Sequence, residues 1–351
     1  MDKIYTIGEA SKVIGVSEET LRRWDRSGKF ISGRHPINNY RVYTGEQLRK
    51  LQEQLRGEIK REETPENAPL LFFNTQYGSL YQGDCIRHMK TLNDNSVDLI
   101  FADPPYNIKK AKWDIFKSVE DYLEWTIDWV REAQRILSPV GNLYICGFPE
   151  ILADIKHEVS PMFYDCRWIV WYYRNKANLS NDWGRSHEGI LHLRKNEHHI
   201  FNIDPIRIPY NEHTTKYPKR KQGVSSQYNN GETYEWTPNP LGAKPKDVLE
   251  IPTIANGSWE KFAHETQKPV ELLRSIILSS SNPDSLIYDP FGGSGTTYAV
   301  AEAYERRWLG TEKEQDYCRI IKSRVTNRAH LKRILDTNEE KLARERRRAL
   351  R

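Results

Sequence analysis

Four consecutive residues, Asp103, Pro104, Pro105 and Tyr106, combine the groups needed to bind an amine on a flat aromatic base. They follow the apolar run 97–102, which has the composition of a buried parallel strand and which the two prolines must end. In open α/β sheets, the loops at the carboxyl ends of such strands carry the ligand site. The carboxylate and a proline carbonyl can accept the two N–H bonds of an exocyclic amine, and the tyrosine ring can stack on the base. For this tetrapeptide taken alone, an ordinary proline turn is the alternative interpretation.

A glycine-rich turn near residue 290 predicts a second half of the site. It lies between a strand-like run over 286–288 and a helical run over 298–304, an arrangement that lets the backbone approach a ligand closely. About twenty residues later, Glu312 ends the next predicted strand, where an acidic side chain can bind ribose hydroxyls. The glycine spacing is not that of a dinucleotide site, and the P-loop lysine is missing. The residues predicted to contact a cofactor here are Asp289, Phe291, Gly292, Gly293, Ser294, Gly295, Thr296 and Glu312.

Taken together, the D-P-P-Y loop and the glycine turn resemble the amino-methyltransferases of DNA, which use S-adenosylmethionine. The catalytic loop precedes the cofactor loop, an order similar to that of the β group of this family. The resemblance covers residues 70–325. It implies an α/β, Rossmann-like methyltransferase fold with a permuted, mostly parallel sheet.

The resemblance also implies roles for two further segments. Residues 81–85 are similar to the family element whose aspartate, here Asp84, receives the cofactor adenine, and Cys85 follows it. Residues 264–269 are similar to the H-P-T-Q-K-P element, which implies that Thr266 and Lys268 lie near the methionine end of the cofactor. Glu265 stands where the family usually has proline. Asp103 would then border both the cofactor and the target base.

The reaction implied is methyl transfer to the N6 amine of a flipped-out adenine in double-stranded DNA, within a restriction-modification or related system. Asp103, Pro104, Pro105 and Tyr106 would be its catalytic residues, and flipping the base would cost about a few kcal/mol. The N4 amine of cytosine is the alternative acceptor, because it offers the same two N–H groups. Family members acting on cytosine more often have serine at the position of Asp103, so adenine is favoured.

Residues 1–56 are predicted to form a separate unit. Thr6 and Ser17 have the spacing of helix N-caps, residues 30–43 have the pattern of a two-stranded wing, and a third helix begins after Thr44. This arrangement resembles the MerR-type winged helix-turn-helix, which implies DNA binding through a recognition helix and a wing. Predicted DNA contacts in this unit are Thr20, Arg22, Arg23, Arg34, His35, Arg41 and Tyr43.

A MerR-type head usually precedes an effector-binding domain, so a regulator without catalysis is the second alternative. The intact D-P-P-Y and glycine motifs argue against it.

Three further segments complete the predicted organisation. Residues 57–69 are charged and proline-bounded, as is typical of a linker. Residues 175–260 mix lysines with aromatic residues between the two halves of the permuted fold, which favours a target-recognition region over a plain surface insertion. Within it, Lys219, Arg220 and Lys221 are predicted to contact DNA. Residues 326–351 are predicted to form a basic helical tail.

Composition limits the remaining possibilities. The chain has 351 residues and a formal net charge of +5, and its four cysteines show no zinc-binding spacing, so no metal site is predicted. The sequence has neither an apolar run of membrane-spanning length nor a signal-peptide core, which predicts a cytoplasmic protein. The family resemblance implies that it is prokaryotic or from a phage and that it associates with the nucleoid through DNA. The expected partner is double-stranded DNA. A cognate restriction endonuclease and a second copy of the chain are further candidates.

Overall fold

The computed structural model describes residues 3–36, 38–52, 68–108, 114–175, 181–218, 220–222 and 234–349. Most of the predicted linker over 57–69, and Lys219, therefore lie outside the described residues. The N-terminal unit contains β1 (Ile4–Thr6), α1 (Ile7–Ile14), α2 (Glu18–Ser27), β2 (Gly33–Arg34), β3 (Arg41–Thr44) and α3 over 45–52.

Local sequence signals define the helices of this unit. The Thr6 hydroxyl accepts a hydrogen bond from the Glu9 amide while the Glu9 carboxylate accepts one from the Thr6 amide, a complete capping box. The Ser17 hydroxyl caps α2 by accepting a bond from the Thr20 amide. The predicted wing is present as the antiparallel pair β2–β3. The structure adds β1, which pairs with the other edge of β3 and was not predicted.

The remaining elements follow in chain order. They are β4 (Leu70–Asn74), β5 (Gly78–Gln82), α4 (Cys85–Thr91), β6 (Val97–Ala102), α5 (Val119–Ile136), β7 (Leu137–Gly147), α6 (Pro149–Val159), β8 (Asp165–Tyr172), β9 (His187–Arg194), α7 (Glu212–Lys216), β10 (Arg220–Gln222), β11 (Tyr234–Trp236), β12 (Val248–Glu250), α8 (Val270–Ser280), β13 (Leu286–Asp289), α9 (Thr296–Ala303), β14 (Arg307–Glu312), α10 (Gln315–Thr326) and α11 (Arg328–Ala349). No described helix combines the length and the apolarity needed to span a bilayer.

In the described part of the chain, nine strands form one sheet in the order β12-β8-β9-β7-β6-β13-β14-β5-β4. Strands β7, β6, β13, β14 and β5 run parallel to one another, whereas β9 is antiparallel to both of its neighbours and β4 is antiparallel to β5. Helices cover both faces. On one face α4, α5 and α6 bury residues such as Met89, Trp129 and Leu152, and on the other α8, α9 and α10 bury Ile276, Val300 and Ile321. This is a doubly wound arrangement, as predicted.

The sheet brings together segments that are distant in the chain. Strand β6 pairs directly with β13, and β13 with β14, so the carboxyl ends of three strands lie side by side. Asp103 follows the first of these ends, Asp289 ends the second and Glu312 ends the third. The two predicted halves of the site therefore meet at one edge of the sheet.

Two predicted boundaries are corrected by the structure. Strands β9 and β12 lie within the predicted recognition region 175–260, yet both belong to the central sheet. Strand β9 begins with the polar pair His187-Glu188, which hid its otherwise buried run. The predicted tail over 326–351 is helical over Arg328–Ala349, but the first turns of this helix pack on α9 and bury Ile334, so this part of α11 belongs to the catalytic unit.

The N-terminal unit packs on the catalytic unit through a buried carboxylate. Glu158, on α6, is 5% exposed and accepts hydrogen bonds from the Ser17 hydroxyl at 2.6 Å and from the Thr20 hydroxyl. An Arg23 guanidinium nitrogen lies 3.8 Å from the same carboxylate. The amino end of α2 therefore faces α6.

A second carboxylate on α5 extends this contact. Glu124 accepts hydrogen bonds from the Trp24 indole nitrogen at 3.1 Å and from the Lys29 ammonium at 3.0 Å. The two units thus share an interface in which the acidic groups come from the catalytic unit and the donors from the N-terminal unit.

Gly310, on β14, allows the closest approach of a helix to the sheet beneath the glycine turn. A methyl group at this position would lie 2.4 Å from the ring of Tyr298, which is fully buried on α9. We expect Gly310→Ala to lower the free energy of unfolding by about 1–3 kcal/mol, because neither the ring nor the strand can move without repacking. Urea denaturation followed by circular dichroism would measure the loss.

Gly45→Ala is the matched control for this substitution. Its added methyl group meets its nearest neighbour at an ordinary 3.6 Å and lies in a helix, so stability should be unchanged or slightly higher. Equal stability of the two variants would contradict the packing argument.

Candidate active site

The loop after β6 is held by side chains that bond to its backbone carbonyl and amide groups. The Tyr122 hydroxyl donates to the Pro105 carbonyl at 2.8 Å. Asp114, which is 1% exposed, accepts hydrogen bonds from the amides of Asn107 at 2.6 Å and Ile108 at 3.1 Å. Asn107 adopts a left-handed conformation with φ 56°. The loop is therefore fixed on both sides of Tyr106.

Asp103 lies at the centre of a cluster of four polar side chains. The Tyr106 hydroxyl donates to Asp103 Oδ1 at 2.6 Å, and the Lys268 ammonium donates to Asp103 Oδ2 at 2.8 Å. Glu188 completes the cluster, since its Oε2 lies 3.1 Å from the Tyr106 hydroxyl and 3.4 Å from Lys268 Nζ. Sequence reasoning placed Lys268 near the cofactor and missed Glu188. The available signal was a charged residue at the start of an apolar strand.

The neighbouring carboxylates keep the Lys268 side chain protonated. Burial alone would lower the pKa of the Lys268 ammonium, but the negative charges of Asp103 and Glu188 outweigh it and raise that pKa. Burial, together with the charge of Asp103, raises the pKa of the Tyr106 hydroxyl well above its ordinary value. Tyr106 is therefore a hydrogen-bond donor, and Lys268 carries a positive charge at neutral pH.

The glycine turn is organised by Asp289. Its carboxylate accepts a hydrogen bond from the Phe291 amide at 2.9 Å and another from the Thr297 hydroxyl at 2.5 Å. Gly293 and Gly295 have left-handed φ angles of 50° and 74°, which explains the glycines at these two positions. Burial raises the pKa of Asp289 well above its ordinary value.

Glu312 closes the other side of this turn. Its carboxylate accepts hydrogen bonds from the amides of Gly293 and Glu314, both at 2.7 Å. Burial raises the pKa of Glu312 to about 7, even though these bonds act in the opposite direction. Asp84 lies nearby as the N-cap of α4, where it accepts a bond from the Arg87 amide at 3.0 Å.

One cleft of about 390 Å³ connects the two halves of the site, a volume suited to a small-molecule ligand. Phe291 packs against Trp125 at its apolar end, with ring centroids 5.6 Å apart. All predicted catalytic and cofactor residues except Gly295 line this cleft. They are Asp84, Cys85, Asp103, Pro104, Pro105, Tyr106, Thr266, Lys268, Asp289, Phe291, Gly292, Gly293, Ser294, Thr296 and Glu312.

The polar groups that line the cleft suit S-adenosylmethionine. Asp84 and Glu312 can accept bonds from amine and hydroxyl groups, and the excess of carboxylates over cations favours a positively charged ligand. A Cβ atom at position 293 would lie 3.0 Å from the His264 ring, so glycine at this position leaves the space between the turn and His264 open. Among the described residues, no group of His, Cys, Asp or Glu side chains has a metal-binding arrangement.

Arg324 bonds the glycine turn, in the half of the site predicted to bind the cofactor, and sequence reasoning did not predict this role. It is fully buried, donates to the Thr296 hydroxyl at 2.8 Å and to the Ser294 carbonyl at 3.2 Å, and bonds His330. Burial lowers its pKa to about 9.

The predicted DNA contacts of the N-terminal unit divide into two groups. Thr20 is fully buried and the Arg23 side chain is 16% exposed, because both face Glu158. Tyr43 is also fully buried, because it stacks on Phe30 in the core of the unit. In this arrangement they are not at a DNA-accessible surface, which corrects the prediction.

The second group keeps part of its surface. Arg22 is 39% exposed beside Glu18, while Arg34 and Arg41 both pair with Asp25 and are 45% and 26% exposed. His35 lies between β2 and β3, where its amide bonds Tyr40. Arg220 and Lys221 lie on β10, which pairs with β11, and only their backbone is described.

Comparison with known proteins identifies the family. The model for "DNA methylase" matches residues 97–323, more than half of the chain. This chain belongs to the DNA methylase family. A second model, "MerR family regulatory protein", matches residues 6–43 of the methylase.

Curated relatives agree with this assignment. The methylase is 31% identical over 286 residues to the Type II methyltransferase M.BglII of Bacillus subtilis, covering 78% of this chain and 76% of the relative. It is 30% identical over 264 residues to the DNA adenine methyltransferase YhdJ of Escherichia coli K12, covering 74% and 86%. The solved structure of the PvuII DNA methyltransferase (cytosine-N4-specific) matches with a TM-score of 0.54 and 18% identity, over 79% of this chain and 96% of that one. This last likeness concerns the fold alone.

Family membership confirms the predicted methyltransferase fold, the DNA methyltransferase activity and the S-adenosylmethionine cofactor. The predicted roles of individual residues stay predictions.

We expect Glu312 to make the affinity for S-adenosylmethionine dependent on pH. Its pKa of about 7 is raised above the usual 4.5, so the neutral form predominates below pH 7 and the carboxylate above it. The carboxylate attracts a cationic ligand and accepts hydroxyl bonds more strongly. The dissociation constant of S-adenosylmethionine should therefore fall as pH rises from about 6 to about 8, by up to about tenfold per unit below the pKa. Isothermal titration calorimetry at several pH values would measure this.

Glu312→Gln should weaken binding and remove this pH dependence. Glu302→Gln is the control, because Glu302 also accepts two hydrogen bonds, from Thr75 and Trp308, but does not line the cleft. An unchanged pH slope in Glu312→Gln would show that another group titrates.

Proposed function

We propose that this methylase transfers a methyl group from S-adenosylmethionine to the N6 amine of a flipped-out adenine in double-stranded DNA. The observation that carries the proposal is the position of the Asp103 carboxylate, at the wall shared by the D-P-P-Y loop and the cofactor half of the cleft. A carboxylate at that position can accept a hydrogen bond from an amine N–H group. Family members that act on cytosine more often have serine where this chain has Asp103.

The cofactor half would hold S-adenosylmethionine by three kinds of contact. Asp84 would accept a bond from the adenine amine, Glu312 would accept bonds from the ribose hydroxyls, and Phe291 would pack against the adenine ring. Thr266 lines the same cleft on the side of Lys268. When bound, S-adenosylmethionine supplies an electrophilic methyl group on a positively charged sulfur.

The acceptor half would make the amine reactive. The lone pair of adenine N6 is delocalised into the ring, so the free amine is a poor nucleophile. Hydrogen bonds from its two N–H groups to the Asp103 carboxylate and the Pro104 carbonyl favour a pyramidal nitrogen and stabilise the positive charge that develops on it. Tyr106 would stack on the base. The Asp103 carboxylate is also placed to receive the proton that the amine must lose.

Two observations bear on the choice of base. Adenine is supported by Asp103 and by the similarity to YhdJ, whose name is DNA adenine methyltransferase. Cytosine N4 stays the alternative, since its amine offers the same N–H groups. The likeness to the PvuII enzyme, at 18% identity, does not bear on the base.

We further propose that the methylase belongs to a restriction-modification system. Several relatives carry the name Type II methyltransferase, among them M.BglII and M1.MboII of Moraxella bovis, the latter 32% identical and covered over 94% of its length. A cognate endonuclease would then cleave the same DNA sequence when it is unmethylated, and the methylase would protect that sequence. The proposed DNA-reading elements are the N-terminal unit and the basic hairpin β10–β11.

The product tests the base assignment. Plasmid DNA prepared without methylation is incubated with the methylase and trideuteromethyl-labelled S-adenosylmethionine, and its nucleosides are analysed by mass spectrometry. We expect labelled N6-methyladenine, because Asp103 heads the acceptor loop. Labelled N4-methylcytosine alone would keep the methyltransferase and overturn the choice of base.

Asp103→Asn separates catalysis from cofactor binding in the same assay. The substitution keeps the size of the side chain but removes its charge, so methyl transfer should fall by at least about a hundredfold while cofactor affinity stays within about threefold. Glu312→Gln should show the opposite pattern, with weakened cofactor binding. Retained activity in Asp103→Asn would end the catalytic assignment.

Arg22 and Arg34 provide a test of the N-terminal unit. If they contact phosphates, replacing both by alanine should weaken DNA binding and reduce the slope of log affinity against log salt by about one unit per lost contact. Arg131→Ala on α5 is the control, because that arginine pairs with Asp128 on the catalytic unit. Fluorescence anisotropy over a salt series would measure the slopes. An unchanged slope would exclude these arginines from the DNA interface.

A further inference from the structure

Glu188 is the one member of the acceptor cluster (Asp103, Tyr106, Lys268 and Glu188) that lies outside the D-P-P-Y loop, the glycine turn and the 264–269 element. It lies at the start of β9, in a strand hydrogen-bonded on both sides, opposite Trp171 of β8. Its side chain is 14% exposed and its Oε2 faces both donors of the cluster, Tyr106 and Lys268. The strand pairs with β8 at Glu188 itself and with β7 from Gly189 onward, so the sheet fixes the backbone that carries this carboxylate.

The amine of an incoming base would compete with two side-chain donors for the oxygens of Asp103. Both oxygens of Asp103 already accept a strong hydrogen bond, one from the Tyr106 hydroxyl and one from the Lys268 ammonium. An amine that binds Asp103 must share these oxygens with donors that draw electron density from them. A carboxylate bonded to an ammonium is a weaker acceptor for a neutral amine, so the existing bonds oppose activation of the nitrogen.

Glu188 offers both donors a second acceptor within a small movement. Lys268 Nζ is 2.8 Å from Asp103 and 3.4 Å from Glu188, while the Tyr106 hydroxyl is 2.6 Å from Asp103 and 3.1 Å from Glu188. Each donor therefore needs to shift by only a fraction of an ångström. The positive charge of Lys268 would stay paired throughout, which a buried ammonium requires.

Neighbouring contacts limit the movement to side chains. The Thr296 hydroxyl donates to the Lys268 carbonyl at 3.0 Å, which anchors its backbone to the glycine turn. Two further carboxylates of the cleft, Asp289 and Glu312, are bonded to backbone amides, whereas Glu188 has both donors of Asp103 within 3.4 Å.

We propose that Glu188 is a positioning residue for methyl transfer, which receives Lys268 and the Tyr106 hydroxyl when the target amine binds Asp103. This inference rests on the proposed transfer to an exocyclic amine and adds to it the group that releases the acceptor. In the structure both donors lie between Asp103 and Glu188. In the base-bound state Glu188 holds them, and Asp103 is left to the amine.

Single-turnover methyl transfer to unmethylated plasmid DNA tests the proposal. Glu188→Gln removes the charge but keeps the shape, so Lys268 stays on Asp103. The rate should fall at least about tenfold, within the roughly hundredfold loss that mispositioned reacting groups can cause. Cofactor affinity should stay within about twofold, because Glu188 does not line the cleft described above. Glu302→Gln, with two hydrogen bonds outside the cleft, should keep the wild-type rate.

A double-mutant cycle distinguishes release of Asp103 from a general structural role. In a background that carries both Lys268→Met and Tyr106→Phe, neither donor competes for Asp103, so adding Glu188→Gln should cost at most about threefold more. A tenfold or greater cost that persists in that background would overturn the proposal, as would a wild-type rate in Glu188→Gln.

Glu188→Asp keeps the charge and should recover part of the rate. This variant carries the test if the glutamine variant fails to fold in a thermal melt, and a rate no higher than that of Asp103→Asn would then overturn the proposal. Absence of methylation by the wild-type protein would instead refute the proposed function, and the two failures are thereby distinguished.

Discussion

The ion pair between Lys268 and Asp103 joins two segments that lie 165 residues apart in the chain. The Lys268 side chain is only 5% exposed, and a buried ammonium is tolerated only when it is paired and hydrogen-bonded. Its two carboxylate partners come from the loop after β6 and from β9. Lys268 meets both carboxylates because β6, β7 and β9 are neighbours in the sheet and the segment before α8 lies over the carboxyl end of β6 and the amino end of the antiparallel strand β9. The topology and the acceptor site therefore depend on each other.

The cleft contains two classes of carboxylate that differ in what holds them. Asp114, Asp289 and Glu312 are bonded to backbone amides, so their positions are fixed by the loops they organise. Asp103 is bonded by two side chains, which can move without disturbing the backbone. The cofactor half of the site is in this sense preorganised, whereas the acceptor half can adjust to a base that has to enter from a duplex.

Local patterns predicted much of this site, and long-range pairing determined the rest. The D-P-P-Y loop, the glycine turn and Glu312 were readable because each follows an apolar strand and is defined by a few consecutive residues. The caps at Thr6 and Ser17 were readable for the same reason. Glu188 was not, because its role depends on the register of β9 between β7 and β8, and no local pattern specifies that register. Strand β1 was missed because three residues cannot be assigned without their partner β3, and the burial of Thr20 was missed because it depends on the contact with α6.

The contact between α2 and Glu158 occupies hydrogen-bond donors that a DNA phosphate could also bind. Two hydroxyls and a guanidinium at a helix amino terminus form an anion-binding arrangement, and here the anion is a carboxylate of the same chain. A phosphate needs the same donors, so Ser17, Thr20 and Arg23 cannot bind Glu158 and a DNA backbone at once. By thermodynamic linkage, DNA that binds these three residues must weaken the contact between the N-terminal unit and the catalytic unit. Any change that strengthens this contact must weaken such DNA binding by the same factor.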